Sequence, residues 1–213
     1  MRHLAITCVL ILCLTAITHA ADLNKLSDAE KKDGFVSLFD GKTLKGWVGS
    51  VDGYSVEDGA IVCSKGGNLY AEKPYANFVL RFDVLIPEGG NNGVGVRCVQ
   101  GKDAAYNGME IQVLDNKAKR YAKLKPTQYH GSVYKIAAAK RGFQKPAGEW
   151  NTQEIRADGP QITVTLNGTV ITDVDLSTVK KGHKSLHNKS GSIGFLGHGS
   201  PVQFRNIRIK ELP

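Results

Sequence analysis

The sequence predicts an all-β fold, a sandwich of two packed antiparallel sheets. Three observations carry the two-sheet reading. Short segments alternate apolar and polar residues with a period of two, as in FVLRFDVLI and MEIQVLD. Gly, Asn, Asp and Pro divide these segments, and the 213-residue chain holds 24 glycines with no collagen-like period. Beyond residue 33 no helical apolar period persists. Each strand then has one apolar face to cover, and two packed antiparallel sheets cover them all.

The elements follow in order. Residues 1–20, MRHLAITCVLILCLTAITHA, carry an early Arg2, an apolar run from Leu4 to Ala16 and a small-residue end. That is the pattern of a secretory signal peptide, with cleavage expected after Ala20. Its run is short of the ~20 residues a membrane span needs, and no later segment can cross. The expected location is therefore secreted or periplasmic. Residues 21–33 form a polar segment with one short helix capped at Ser27. Residues 34–213 are read as a single domain. An Asp40-Gly41 turn opens it. The expected strands run 54–56, 60–63, 77–86, 93–99, 108–114, 151–158, 161–166, 169–175, 191–196 and 202–211. Asn167-Gly168 supplies the positive φ of a two-residue hairpin between two of them. The strand-poor stretch 115–150 is expected to lie across one mouth of the sandwich, where long insertions carry function.

Charge and cysteines narrow the partners. The net charge is +8, but Lys and Arg are spread along the chain with mild clusters at 117–125, 135–145 and 180–189. No focused basic patch interleaved with aromatics appears, so nucleic acid is not an expected partner. Cleavage at Ala20 leaves Cys63 and Cys98, which an oxidising compartment allows to pair or to stay as two buried thiols.

Alternation selects the candidate site. Glu110 and Gln112 project from one face of a strand, with Met109, Ile111 and Val113 on the other. Arg97 stands among glycines, GVGVRC, where a ligand can approach the sheet. His130 follows in TQYHGSVYK beside Tyr134 and Lys135, and Gly197-His198-Gly199 aims a second imidazole. Asp115 opens the long loop, and Trp47 offers a flat ring on which a sugar can pack. Trp150 is read as a structural plug. No GxSxG, HExxH, P-loop or dinucleotide fingerprint occurs. On the residues alone, the reading stops at a secreted β-sandwich that handles carbohydrate.

An ordered set of motifs extends that reading. LSDAEKKDGFVSLFDGKTLKGW, NNGVGVR, MEIQVLDN, YHGSVYK, KPAGEWN, TLNGT and GFLGHGSPVQFRNIRIKEL resemble the 3-keto-disaccharide hydrolase family, from about Leu26 to Leu212. The resemblance implies a concanavalin A-like jelly roll and a small-molecule carbohydrate substrate. It also implies cleavage of 3-keto-glycosides: a base removes the C2 proton, the enolate expels the C1 substituent, and water adds to the resulting glucal. Under that implication His130 is the first choice of base and Glu110 its rival. Arg97 is the oxyanion partner, and Lys135 or Tyr134 the acid for the leaving oxygen. Gln112, Asp115, Trp47 and His198 shape the sugar site. A divalent cation would serve as enolate stabiliser. Lys135 stands where many relatives carry glycine. The alternative is a carbohydrate-binding module of the same fold without turnover.

Overall fold

The structure is a computed structural model that describes residues 23–180, 182 and 184–213. The expected signal peptide lies outside the described residues. The helix α1 (Asp28–Lys32) forms where its capping residue predicts. Ser27 Oγ accepts from the Glu30 N–H, and the Glu30 carboxylate accepts from the Ser27 N–H. Glu30 also pairs with Arg208, and Lys210 Nζ reaches Asp33 at 2.6 Å, so the helix is tied to the last strand.

Two antiparallel sheets make up the rest. The larger contains β1 (Val36–Ser37), β3 (Tyr54–Glu57), β4 (Ala60–Cys63), β6 (Phe78–Leu85), β9 (Trp150–Asp158), β10 (Gln161–Leu166), β11 (Thr169–Asp175) and β13 (Gln203–Glu211). Its order is β11-β10-β9-β6-β13-β4-β3, with β1 pairing to β13. The smaller holds β2 (Trp47–Gly49), β5 (Gly67–Ala71), β7 (Asn91–Cys98), β8 (Met109–Leu114) and β12 (Ser192–Gly197), in the order β2-β5-β12-β7-β8. Beyond β8 the chain doubles back. Val133 bridges Ile111, and the Tyr134 N–H donates to the Glu110 carbonyl, so residues 131–134 extend this sheet by one more row.

The core fills the space between the sheets. Phe78, Leu80, Phe82 and Val84 face it from β6, Val94 and Val96 from β7, and Met109, Ile111 and Val113 from β8. Trp47 stacks on Phe195 with ring centroids 5.3 Å apart, and its indole N–H donates to the Leu38 carbonyl at 2.9 Å. Trp47 is thus a core residue, correcting its expected role as a sugar platform.

Two bulges break the two-residue alternation. In β13 the register shifts between Arg205 and Arg208, where Asn206 sits at φ 58°, so Phe204, Ile207 and Ile209 all reach the core. In β7 Cys98 pairs with Ser192 and Gly95 with Gly194, leaving an extra residue on β7, and Arg97 adopts φ 52°. The second bulge transfers Cys98 to the outer face of the small sheet, where it packs with Tyr70, Ala104 and Leu196. Cys63 stays in the core, so the two cysteines are separate buried thiols.

The Asn167-Gly168 turn joins β10 and β11 with both residues at positive φ. Asn167 also ties down the long loop. Its Nδ2 donates to the Phe143 carbonyl and to Asn151 Oδ1, each at 2.8 Å, and its Oδ1 accepts from the Thr152 N–H at 3.0 Å. The same nitrogen would carry a glycan if the Asn-Gly-Thr sequon were used, so glycosylation would displace one of these bonds. Asn167→Ala is expected to destabilise the fold by about 1–3 kcal/mol, through loss of those bonds and of a residue that tolerates the left-handed region. Urea unfolding measures it, and an unchanged midpoint would contradict the assignment.

Candidate active site

The outer face of the small sheet carries the carboxylate that alternation predicts. Glu110 lies opposite Gly95, and Gln112 opposite Gly93. A Cβ at Gly93 would sit 2.2 Å from Glu110 Oε1, so glycine there lets the Glu110 side chain lie down along the sheet. Asn68, Asp103, Ala104, Ala105, Glu110, Leu196 and His198 enclose a cavity of about 340 Å3 over this face. Asp103 to Ala105 belong to the β7–β8 connection. That loop is closed by Val99 N–H to the Asn107 carbonyl, and shaped by the Ala105 N–H to Asp103 Oδ1.

The electrostatics single out Glu110. It is only 7% exposed, and burial pushes its carboxyl up to about 7, with the Asp103 charge adding to the rise and Lys135 opposing it. Lys135 adopts φ 61°, with Nζ 2.5 Å from the Tyr106 hydroxyl and over the Tyr106 and Tyr134 rings. The Tyr106 hydrogen bond holds its ammonium above the ordinary lysine value. Desolvation by the cavity walls lowers the His198 imidazole, while Asp103 acts in the opposite sense. The site therefore holds a carboxylate poised near neutral pH, a fixed ammonium and an imidazole that stays largely neutral.

The expected residues divide sharply. Glu110 and His198 line the cavity, the Lys135 charge acts on Glu110 from close by, and Tyr134 lies opposite Glu110 across the added row. Gln112 shares their strand face, but its Oε1 accepts from the Val113 N–H. Asp115 brackets a loop instead, accepting from the Gly89 and Lys117 N–H groups. His130 does not join them. It is 1% exposed, its Nδ1 accepts from the Leu114 N–H, and its Nε2 lies beside Gln153 without a hydrogen-bonding partner. Burial pushes this imidazole down to about 4. Arg97 does not join them either. The bulge turns its guanidinium to the larger sheet, where it donates to the Ala76 and Gly159 carbonyls and to Asn77 Oδ1. Both are corrections: the alternation that selects Glu110 fails at the β7 bulge, and it does not govern the loop that buries His130. Asn68, Asp103 and Tyr106 join the site without a pattern in the sequence to mark them. Asp103 and Tyr106 lie in an irregular loop, and Asn68 in a strand that Gly66-Gly67 disguises as a turn.

A neutral imidazole sealed in the interior has a consequence for stability. The unfolded chain takes up the His130 proton near pH 6.5 and the folded chain only near 4. The unfolded state thus binds more protons in that window, and the His130 contribution to stability falls as pH drops from about 6.5 to 4, by about 3 kcal/mol in all. Denaturant unfolding of wild type and His130→Leu across this range isolates it. Parallel pH dependences in the two proteins would contradict the buried neutral state.

The implied divalent cation finds no closed ligand set. Among the described residues, no three His, Cys, Asp or Glu side chains converge as a metal site requires. Asp103, Glu110 and His198 line one cavity without closing around a common point.

A two-sheet antiparallel sandwich with a cleft and a buried carboxylate over its smaller sheet is a fold of the concanavalin A-like class. The chain belongs to the 3-keto-alpha-glucoside-1,2-lyase-like domain family, which matches residues 34–210. It is 28% identical over 242 residues to the 3-keto-disaccharide hydrolase of Bacteroides thetaiotaomicron, spanning 91% of this chain and 83% of that protein. Among solved structures, a candidate glycosyl hydrolase from Parabacteroides distasonis superposes with a TM-score of 0.80 at 26% identity, covering 89% of this chain and 99% of that one. A carbohydrate-binding module from Bacillus subtilis shares the fold at a TM-score of 0.54 and 14% identity, over 78% of this chain and 96% of that one. Among the described residues no helix is long and apolar enough to cross a membrane.

Proposed function

We propose that the protein cleaves 3-keto-glucosides by elimination across C1 and C2, followed by hydration, with the Glu110 carboxylate as the base. The keto group at C3 acidifies the C2 proton. Glu110 takes that proton, the C2–H electron pair forms the enolate, and the enolate collapses to a C1–C2 double bond as the C1–O bond breaks. The leaving oxygen takes a proton from the hydrolytic water, for which the neutral His198 imidazole is the placed hydrogen-bonding partner. The hydroxide left by that water then adds at C1, Glu110 delivers to C2 a proton that has exchanged with solvent, and the 3-keto sugar is released. The Lys135 ammonium is the electrostatic partner of the enolate oxygen, the part that the sequence assigned to Arg97. The observation that carries the reading is Glu110 itself, a carboxyl raised to about 7 by burial and a neighbouring Asp103 in a sugar-sized cavity. The name of the Bacteroides thetaiotaomicron relative supports the substrate class.

The base must be ionised to act. The value of kcat/KM on 3-keto-trehalose is therefore expected to rise with pH and level off above about 7, as the Glu110 carboxyl titrates. A flat profile from pH 5 to 8 would overturn the assignment. The same reading places the enzyme outside the cytoplasm, supported by the leader-like first twenty residues. N-terminal sequencing of the exported protein should begin at Ala21.

A further inference from the structure

At the opposite edge of β7 from Glu110, Arg97 presents a second and different feature. The guanidinium is 3% exposed, and no carboxylate among the described residues lies within ion-pair distance of it. The undescribed interior positions, Lys181 and His183, cannot supply one. Asp158 acts on it only at longer range and is itself paired to Arg156 at 2.6 Å. A buried cation without a counterion is unfavourable unless something else compensates it. Three of its five N–H groups are used, by Ala76, Gly159 and Asn77. One N–H on each terminal nitrogen has no acceptor among the described residues.

Arg97 and its three acceptors Ala76, Asn77 and Gly159 border a cavity of about 400 Å3, a volume within the range of small-ligand sites. Its walls are Ala76, Pro160, Leu176 and Leu186, and its rim carries Lys189 and His187. Among the described residues, no acidic one lines it. An anion entering this cavity meets a desolvated guanidinium with two donors open, a second cation at the mouth and apolar walls around its body.

We propose that this cavity is a binding site for a small organic carboxylate with an apolar body, separate from the Glu110 cleft. The carboxylate oxygens accept the two open Arg97 N–H groups, and the body packs against Pro160, Leu176 and Leu186. The ligand then supplies the negative charge that the fold leaves out beside Arg97.

The probe is sodium benzoate, with benzyl alcohol as its neutral counterpart and inorganic phosphate as an anion without an apolar body. Thermal unfolding of the protein should show a saturable rise in Tm of a few degrees with benzoate alone. Amide chemical shifts in wild type should move at Asn77, Gly159 and Lys189 and stay fixed at Glu110. Ala76 is an exposed cavity-wall residue, and Ala76→Trp should fill the space and remove the response while the ligand-free protein still unfolds cooperatively. Glu110→Gln should keep it. The proposal fails if benzoate gives no shift, if benzyl alcohol matches it, if phosphate alone responds, or if the perturbed amides cluster around Glu110. The amide map decides the matter without any variant.

Discussion

Glu110→Gln is expected to lower kcat/KM on a 3-keto-glucoside by about 100- to 10,000-fold while raising stability at alkaline pH. Both effects have one origin. The folded state holds the Glu110 proton up to about pH 7, whereas the unfolded chain releases it near 4.5. The folded protein thus binds more protons between those values, and stability falls as pH rises through them. Above pH 7 the ionised, buried carboxyl destabilises the fold by about 3 kcal/mol, which the neutral amide does not. Below pH 4.5 the two proteins should be equally stable. This slope is opposite in sign to that of His130, so the two largely offset each other in wild type. Glu110→Gln exposes the His130 slope alone, and His130→Leu exposes the Glu110 slope alone. Loss of activity with loss of stability at pH 8 would instead mean that Glu110 holds the sheet together.

Arg97→Met is expected to do the reverse. It removes three hydrogen bonds from a charged donor that joins β7 to the start of β6 and to the β9–β10 turn. The expected loss is about 3 kcal/mol, or about 6–12 °C in Tm for a domain of this size. Turnover per folded molecule should stay close to wild type, because the guanidinium borders a different cavity from Glu110. Thermal unfolding and active-site-normalised kinetics separate the two readings. A fall in kcat at unchanged Tm would restore Arg97 to the reaction.

The contrast between these residues shows what a two-residue period can deliver. Where the strand is regular, alternation places side chains correctly: β8 sends Met109, Ile111 and Val113 inward and Glu110 outward. The ten expected strands all form, three with the expected ends and the others with ends shifted by at most two residues. The short strands β1, β2 and β5 carry too few residues to show a period, and β5 begins at a glycine. Arg97 fails for a different reason. A bulge adds one residue to β7, and every later side chain changes face. Nothing in GVGVRC announces it, because the left-handed position falls on arginine rather than on a neighbouring glycine. His130 fails because a loop can fold inward. Its backbone N–H is satisfied by Asn116 Oδ1 and its ring nitrogen by Leu114, partners from another segment that only the tertiary structure brings near. Lys135 is the reverse case. An arginine expected at the oxyanion lies elsewhere, and a lysine at a position suited to glycine acts on Glu110 from close by instead.

The most direct test follows hydrogen at C2. A 3-keto-glucoside incubated in D2O with wild type should acquire deuterium at C2 of the released 3-keto sugar, and a C2-deuterated substrate should react more slowly. Glu110→Gln should bind the same substrate yet show neither exchange nor cleavage. Cleavage by wild type with the C2 hydrogen fully retained, or undiminished exchange by Glu110→Gln, would contradict proton abstraction by this carboxylate.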